Sequence, residues 1–183
     1  EGLPQGGAGL MLELARPDDR DAVNEIAGQV HAMHVAWRPD IFRMPEELYP
    51  EERYLDCIRQ RQLYVAKLNG IVAGFVLIKM KQYDSPGHVA RKVLVVDEIC
   101  VEESIRGHGI GKTMMADIHA LAKAFRCTDL QLKVYPQNDD DMHDYFEISR
   151  AELEQLKAAK EPAVNVSVYG VGEAYANYAT AEV

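Results

Sequence analysis

Two adjacent acids and a cluster of glycines are the residues of this chain best suited to chemistry. Asp97 and Glu98 interrupt an apolar run, with Val93-Leu94-Val95-Val96 before them and Ile99-Cys100-Val101 after. A carboxylate inside a buried strand is costly to desolvate unless a cleft, a partner or water reaches it, so the pair marks a site. Each acid is also a candidate general base, able to take a proton from an incoming nucleophile. Further along stands Arg106-Gly107-His108-Gly109-Ile110-Gly111-Lys112. Glycines at a helix start let a ligand approach N–H groups that lack helical partners, where the helix dipole favours negative charge. Arg106 and Lys112 would add full charges. The chemistry implied is phosphate binding, set against the plainer alternative of a tight strand-to-helix turn.

Three elements in succession must position these groups. Lys92 to Val101 has the unbroken apolar character of a central strand covered on both faces. The glycines make the turn. Ile110, Met114, Ile118, Leu121 and Phe125 then recur on one helical face, which predicts an amphipathic helix.

Three phosphate-binding patterns can be tested on the turn. Gly107, Gly109 and Gly111 are spaced G-x-G-x-G, so the dinucleotide fingerprint G-x-G-x-x-G fails. Gly111-Lys112-Thr113 supplies the end of a P-loop, but the first glycine of that pattern falls on Arg106. The third pattern, [QR]-x-x-G-x-[GA], is met by Arg106, Gly109 and Gly111. In this context of acid-bearing strand and following helix, the stretch resembles the pyrophosphate signature of the GNAT acyltransferase superfamily. The resemblance implies that Gly107, His108, Gly109, Ile110, Gly111 and Lys112 bind the coenzyme A pyrophosphate through main-chain amides. It also implies that the backbone of Ile99, Cys100 and Val101 hydrogen-bonds the pantetheine arm.

From its start, the chain shows four glycines and a proline in residues 1–10 with no periodicity, as expected of a flexible leader or expression remnant. Met11 to Ala15 is expected as a strand. Arg16-Pro17-Asp18-Asp19 then enters a helix to about Val35, striped by Val23, Ile26, Val30 and Met33. His31 and His34 share a face of that helix, but no third ligand follows at a convincing spacing, so no metal is expected. Trp37-Arg38-Pro39-Asp40-Ile41-Phe42 leaves the helix, and Trp37 and Phe42 are expected against the sheet. In the family, this linker roofs the acceptor pocket.

Pro50 to Arg61 is predicted as a second helix with Tyr54, Leu55 and Ile58 on its apolar side. Leu63 to Leu68, Asn69-Gly70 and Ile71 to Met80 predict a hairpin with a type I′ turn. Beyond the glycine helix, Leu130, Leu132 and Val134 alternate with Gln131 and Lys133, as in a half-buried fifth strand. In the family this strand splays from the fourth.

After Asn138 and three aspartates, helical spacing runs through Met142, Tyr145, Ser149, Leu153 and Leu156. Asn138 suits an N-cap and the aspartates suit the helix dipole, a better account of them than a calcium loop. The family expects N-x-x-A-x-x-F-Y-E-x-x-G-F here. Asn138 and Glu147 are present, but Asp141 replaces the alanine, the aromatic pair is reversed as Tyr145-Phe146, and no Gly-Phe ending follows. The resemblance covers about Leu12 to Phe146. Ala163 to Tyr169 has strand character and Val171 to Val183 is weakly patterned, so three readings of this ending stand open: a rebuilt segment, one exchanged with a neighbour in a homodimer, and a partly disordered one.

Composition limits the alternatives. At 183 residues with 48% hydrophobic and 27% charged content, the chain suits one globular domain over residues 11–183. A net charge of −9 disfavours nucleic acid and anionic membranes, and mildly favours a cationic acceptor. No apolar run approaches the ~20 residues of a membrane helix. Three unpatterned cysteines suggest reduced thiols and a cytoplasmic setting.

The expected fold is therefore α/β, a mixed and mostly antiparallel sheet flanked by helices, with an atypical C-terminal segment. The resemblance implies an acetyl-CoA-dependent N-acetyltransferase acting on a primary amine of a small molecule, peptide or protein, without a metal. Asp97 or Glu98 would be the base. Counting seven residues on from Asn138 gives Tyr145 as the acid that would protonate the departing thiolate, whereas counting back from Glu147 lands on Phe146, which has no proton to give. Asn138 would lie near the cofactor. A non-catalytic acyl-CoA sensor and a P-loop nucleotide-binding protein are the competing readings.

Overall fold

A computed structural model of the chain describes residues 12–134, strand residues 164–169 and 176–179, and helical positions 151, 154 and 158. β1 (Leu12–Leu14) leads through a 3-10 turn at Pro17–Asp19 into α1 (Arg20–Trp37). Asp19 is buried, and its charge is compensated: Oδ2 accepts from the Arg16 amide at 2.9 Å, and Lys67 Nζ lies 3.0 Å from Oδ1. Val23, Ile26 and Ala27 form the buried face of α1.

α2 (Glu51–Arg59) begins after Pro50, with Glu51 and Glu52 in its first turn and Arg59 in its last, matching the helix dipole. It buries Tyr54 and Cys57, and the Tyr54 hydroxyl donates to the Arg16 carbonyl at 2.7 Å. Next come β2 (Leu63–Leu68) and β3 (Ile71–Tyr83), joined by Asn69 at φ 50° and Gly70 at φ 79°. Two successive positive φ values are those of the type I′ turn that Asn-Gly predicts. β4 (Arg91–Val101) leads through a 3-10 turn at Glu103–Ile105 and the glycine cluster into α3 (Ile110–Ala124). β5 (Asp129–Val134), β6 (Val164–Tyr169) and β7 (Ala176–Ala179) complete the described elements.

The strands stand in the sheet in chain order, β1 to β7. β1 with β2, β2 with β3, β5 with β6 and β6 with β7 pair antiparallel, whereas β4 and β5 are parallel. This is the mixed, mostly antiparallel sheet expected. The β4–β5 ladder runs from Val93 opposite Asp129 to Val96 opposite Leu132, so Asp97 to Val101 lie beyond its last pair.

Two compact units are distinguished. The first takes in residues up to Ile78 together with Glu98–Ile118, and the second takes in Lys79–Asp97 with the residues from His119 onward. In the first, Leu63, Val65, Phe75, Leu77 and Cys100 pack with Val23, Ile26, Tyr49 and Tyr54. Each fully buried Leu or Phe side chain contributes ~1.5–3 kcal/mol. Gly74 in β3 is a close-approach position: a Cβ there would meet the Cys100 carbonyl oxygen at 2.5 Å and the Met114 sulfur at 2.9 Å. In the second unit, Val93, Leu94, Val95, Val96, Leu130 and Leu132 are buried, and the Thr128 amide donates to the Lys92 carbonyl at 2.7 Å.

Candidate active site

The glycine turn owes its shape to backbone conformations that other residues resist. Gly107 and Gly109 both have φ of 78°, and among the described residues, their chain neighbours aside, no atom lies within 4 Å of where a Cβ would stand. The turn is therefore open as well as left-handed. Among the bonds opening α3, the Thr113 amide donates to the Gly109 carbonyl at 3.0 Å. The amides of Ile110, Gly111 and Lys112 precede that bond and have no helical acceptor. Lys112 is exposed, and His108 turns its Nδ1 back to within 3.1 Å of the Ile105 carbonyl and 3.0 Å of the Arg106 carbonyl.

Arg106 does not extend into solvent. Its Nε donates to the Val101 carbonyl at 2.9 Å, Nη1 lies 3.2 Å from the Met33 sulfur, and Nη2 is buried with no hydrogen-bond partner among the described residues. Among the described residues no carboxylate comes within ion-pair distance of it. A guanidinium keeps its charge at any ordinary pH, so Arg106 brings a fixed positive charge to the turn before α3, close enough to Glu102 to help hold that carboxyl ionised.

The turn is anchored from α1. Gln29 accepts from the Glu103 amide at 2.9 Å and donates to Glu102 Oε1 at 3.3 Å, while Glu102 Oε2 accepts from the Ser104 amide at 3.0 Å. The Ser104 hydroxyl and these donors hold the Glu102 carboxyl below the usual carboxylate range. No sequence pattern pointed to Gln29.

The two acids of β4 have different surroundings. Asp97 is exposed and forms a close ion pair with Lys79. Glu98 receives the Tyr49 hydroxyl on Oε2 at 2.8 Å, and Arg53 Nη2 lies 3.5 Å from Oε1. Neighbours on a strand point to opposite faces, so the two carboxylates serve different sides of the sheet. Tyr49 is fully buried, and burial together with the negative charge of Glu98 pushes its phenol far above the ordinary value. Its partnership with Glu98 spans 49 positions of sequence, which is why no local pattern reveals it.

Of the three residues expected to offer main chain to pantetheine, Cys100 is turned toward β3, its carbonyl lying against Gly74. The Glu102 amide donates to the Ala73 carbonyl at 2.9 Å on the same side. By strand alternation Ile99 and Val101 present their groups on the edge away from β3.

His31 and His34 form part of an aromatic cluster. His31 Nε2 lies 2.9 Å from the Arg43 carbonyl, and the Phe42 ring is 5.8 Å from His31 and 5.5 Å from His34, with Trp37 5.6 Å from His34. Trp37 and Phe42 thus contact the histidines. Asn138 and Tyr145 lie outside the described residues.

The sequence model of the acetyltransferase (GNAT) family matches residues 30–147. No curated protein gives a significant match. Among solved structures, a tetramutant of the BH1408 protein from Bacillus halodurans is similar at 26% identity and TM-score 0.68, covering 75% of this chain and 90% of that one. YncA of Salmonella typhimurium, named a putative acetyltransferase and solved with its cofactor acetyl-CoA, is 15% identical at TM-score 0.53, over 74% of this chain and 76% of its own. Arabidopsis thaliana Naa50, in complex with the bisubstrate analogue CoA-Ac-MVNAL, is 17% identical at TM-score 0.51, over 76% and 82%.

Proposed function

The chain belongs to the GNAT acetyltransferase family, and from that premise we propose that it transfers an acetyl group from acetyl-CoA to a primary amine by direct attack in a ternary complex. The observation that carries this reading is the turn from Arg106 to Lys112. It combines left-handed glycines, open space, helix-start amides that precede the first helical bond, and a guanidinium with no carboxylate at ion-pair distance among the described residues. Such a turn suits a pyrophosphate. Gly107, His108, Gly109, Ile110, Gly111 and Lys112 offer main-chain amides, Arg106 supplies charge and braces Val101, and Ile99 and Val101 offer groups to the pantetheine arm. Two structural neighbours support the ligand, one holding acetyl-CoA and the other an analogue that joins CoA to MVNAL. Asn138 is assigned near the cofactor by sequence position.

An amine with the pKa of Lys, about 10.4, is protonated at neutral pH and must lose a proton before it attacks. A carboxylate on β4, Asp97 or Glu98, accepts it directly or through water. The nitrogen then bonds to the thioester carbon and the C–S bond breaks. The departing thiolate takes a proton from Tyr145.

The test is release of free thiol from acetyl-CoA in the presence of separate acceptors: spermidine, lysine, kanamycin and a tetrapeptide with a free amino terminus. At least one should raise the rate above the background of hydrolysis. Tight acetyl-CoA binding with no acceptor-dependent release would support a sensor instead.

A further inference from the structure

The acetyl-transfer reading leaves open which acid of β4 takes the proton. We infer that Tyr49 is the positioning residue for the base, and that it assigns the task to Glu98. The inference rests on the transfer reading and adds to it two residues outside the glycine motif, Tyr49 and its companion Arg53.

The Tyr49 ring is fully enclosed and meets Phe75 edge-on, with centroids 5.7 Å apart and planes at 85°. A phenylalanine would fill the same space without a polar atom to satisfy. The hydroxyl instead ends 2.8 Å from Glu98 Oε2. The rest of the residue is clamped: its amide donates to Asn24 Oδ1 at 2.8 Å, and its carbonyl accepts from Asn24 Nδ2 at 3.0 Å and Arg20 Nε at 3.3 Å. Ring, main chain and hydroxyl are thus fixed together, and one oxygen of Glu98 is fixed with them.

Burial and the adjacent carboxylate keep the proton on Tyr49. It neither takes the proton of the amine nor protonates the thiolate at neutral pH. Its contribution is a permanent donor to Oε2, which leaves Oε1 as the working oxygen.

Arg53 marks where the acceptor goes. Its guanidinium lies over the Tyr49 ring at 4.4 Å and its Nη1 donates to the Leu48 carbonyl at 2.6 Å, so it is held independently of Glu98. Its Nη2 stands 3.5 Å from Oε1, longer than a good hydrogen bond, and both side chains are partly exposed. A substrate ammonium can replace that loose cation at Oε1 and hand over its proton there. Asp97 offers no equivalent, because Lys79 closes on its carboxylate and no buried donor fixes it among the described residues.

The test is steady-state kinetics on the best of the four acceptors named above, with Glu98→Gln, Asp97→Asn, Tyr49→Phe and the Tyr49→Phe, Glu98→Gln double variant. Glu98→Gln should lower kcat by roughly 10²–10⁴, and Asp97→Asn by less than Glu98→Gln. Tyr49→Phe should lower kcat about ten- to hundredfold with the acetyl-CoA KM unchanged. The double variant should match Glu98→Gln alone, because a residue acting only through Glu98 has nothing left to position. Should Tyr49→Phe fold poorly, Asn24→Ala loosens the same clamp and should likewise lose its effect in the Glu98→Gln background. Multiplying effects, or an Asp97→Asn loss as large as that of Glu98→Gln, would overturn the inference while leaving acetyl transfer standing. A parent enzyme with no acceptor-dependent release overturns both.

Discussion

At the turn between β4 and α3 the groups offered to a ligand are main-chain amides, held by Gly107 and Gly109 in a left-handed backbone and by the first turn of a helix. Around Glu98 they are side chains, with Tyr49 drawn from the loop before α2, Arg53 from the first turn of α2 and the acid itself from β4. The first arrangement presents charge that does not titrate and depends on few side chains. The second depends on three, and on the packing that aims them. A binding function suits the former, because a diphosphate needs many donors at fixed places. A proton-transfer function suits the latter, because only side chains change protonation state.

The contrast is sharpest at the other end of the reaction, where the thiolate leaves. If a side chain is needed there too, Tyr145→Phe should lower kcat by roughly 10²–10⁴ with acetyl-CoA affinity unchanged. An unchanged kcat in a folded variant would show that the thiolate takes its proton from water, and proton chemistry would then be confined to Glu98.

A smaller effect is expected where main chain and side chain meet. Gly74 lets the Cys100 carbonyl and the Met114 side chain of α3 come close, so Gly74→Ala must displace backbone as well as a flexible thioether. Overpacking of this kind costs about 1–3 kcal/mol. Urea unfolding should show a midpoint lowered accordingly. No loss would mean that the seat of α3 is looser than the geometry implies.

The smallest effect distinguishes the regions by pH. Burial, then the neighbouring His31, lowers the His34 pKa below 6.5. The folded state therefore binds this proton less readily than the unfolded chain. The resulting stability is present above pH 6.5 and is lost as pH falls through the lowered folded value. Unfolding free energies at pH 7.5 and 5.5 should differ less in His34→Gln than in the parent. An identical difference would remove the aromatic cluster as a source of acid sensitivity.

The glycine turn was legible in sequence because its determinants are local. Arg106, Gly109 and Gly111 lie within six positions, and Val93 to Val96 announce the strand before them. The Asn69-Gly70 hairpin was legible for the same reason, since the turn chemistry and both flanking runs adjoin it. Tyr49 and Gln29 were not, because their partners Glu98 and Glu103 lie 49 and 74 positions away. Gly74 looked like any strand glycine until α3 was seen against it. β7 was missed because Val171 to Val183 is rich in small residues with no alternation of period two.

On the reading proposed above, the Arg106–Lys112 turn holds the pyrophosphate of coenzyme A through its main chain. The most direct measurement is Tm with acetyl-CoA, with ATP and magnesium, and with NAD, on the parent and on Gly111→Asp. An acid in the first turn of α3 suits the helix dipole, so the variant should fold, yet its carboxylate occupies the approach of the phosphates. At 100 times its Kd, acetyl-CoA should stabilise the parent by ~2.7 kcal/mol and raise Tm. It should leave Gly111→Asp unmoved, and the other two nucleotides should leave both unmoved. A parent that responds to ATP or NAD but not to acetyl-CoA would contradict the account.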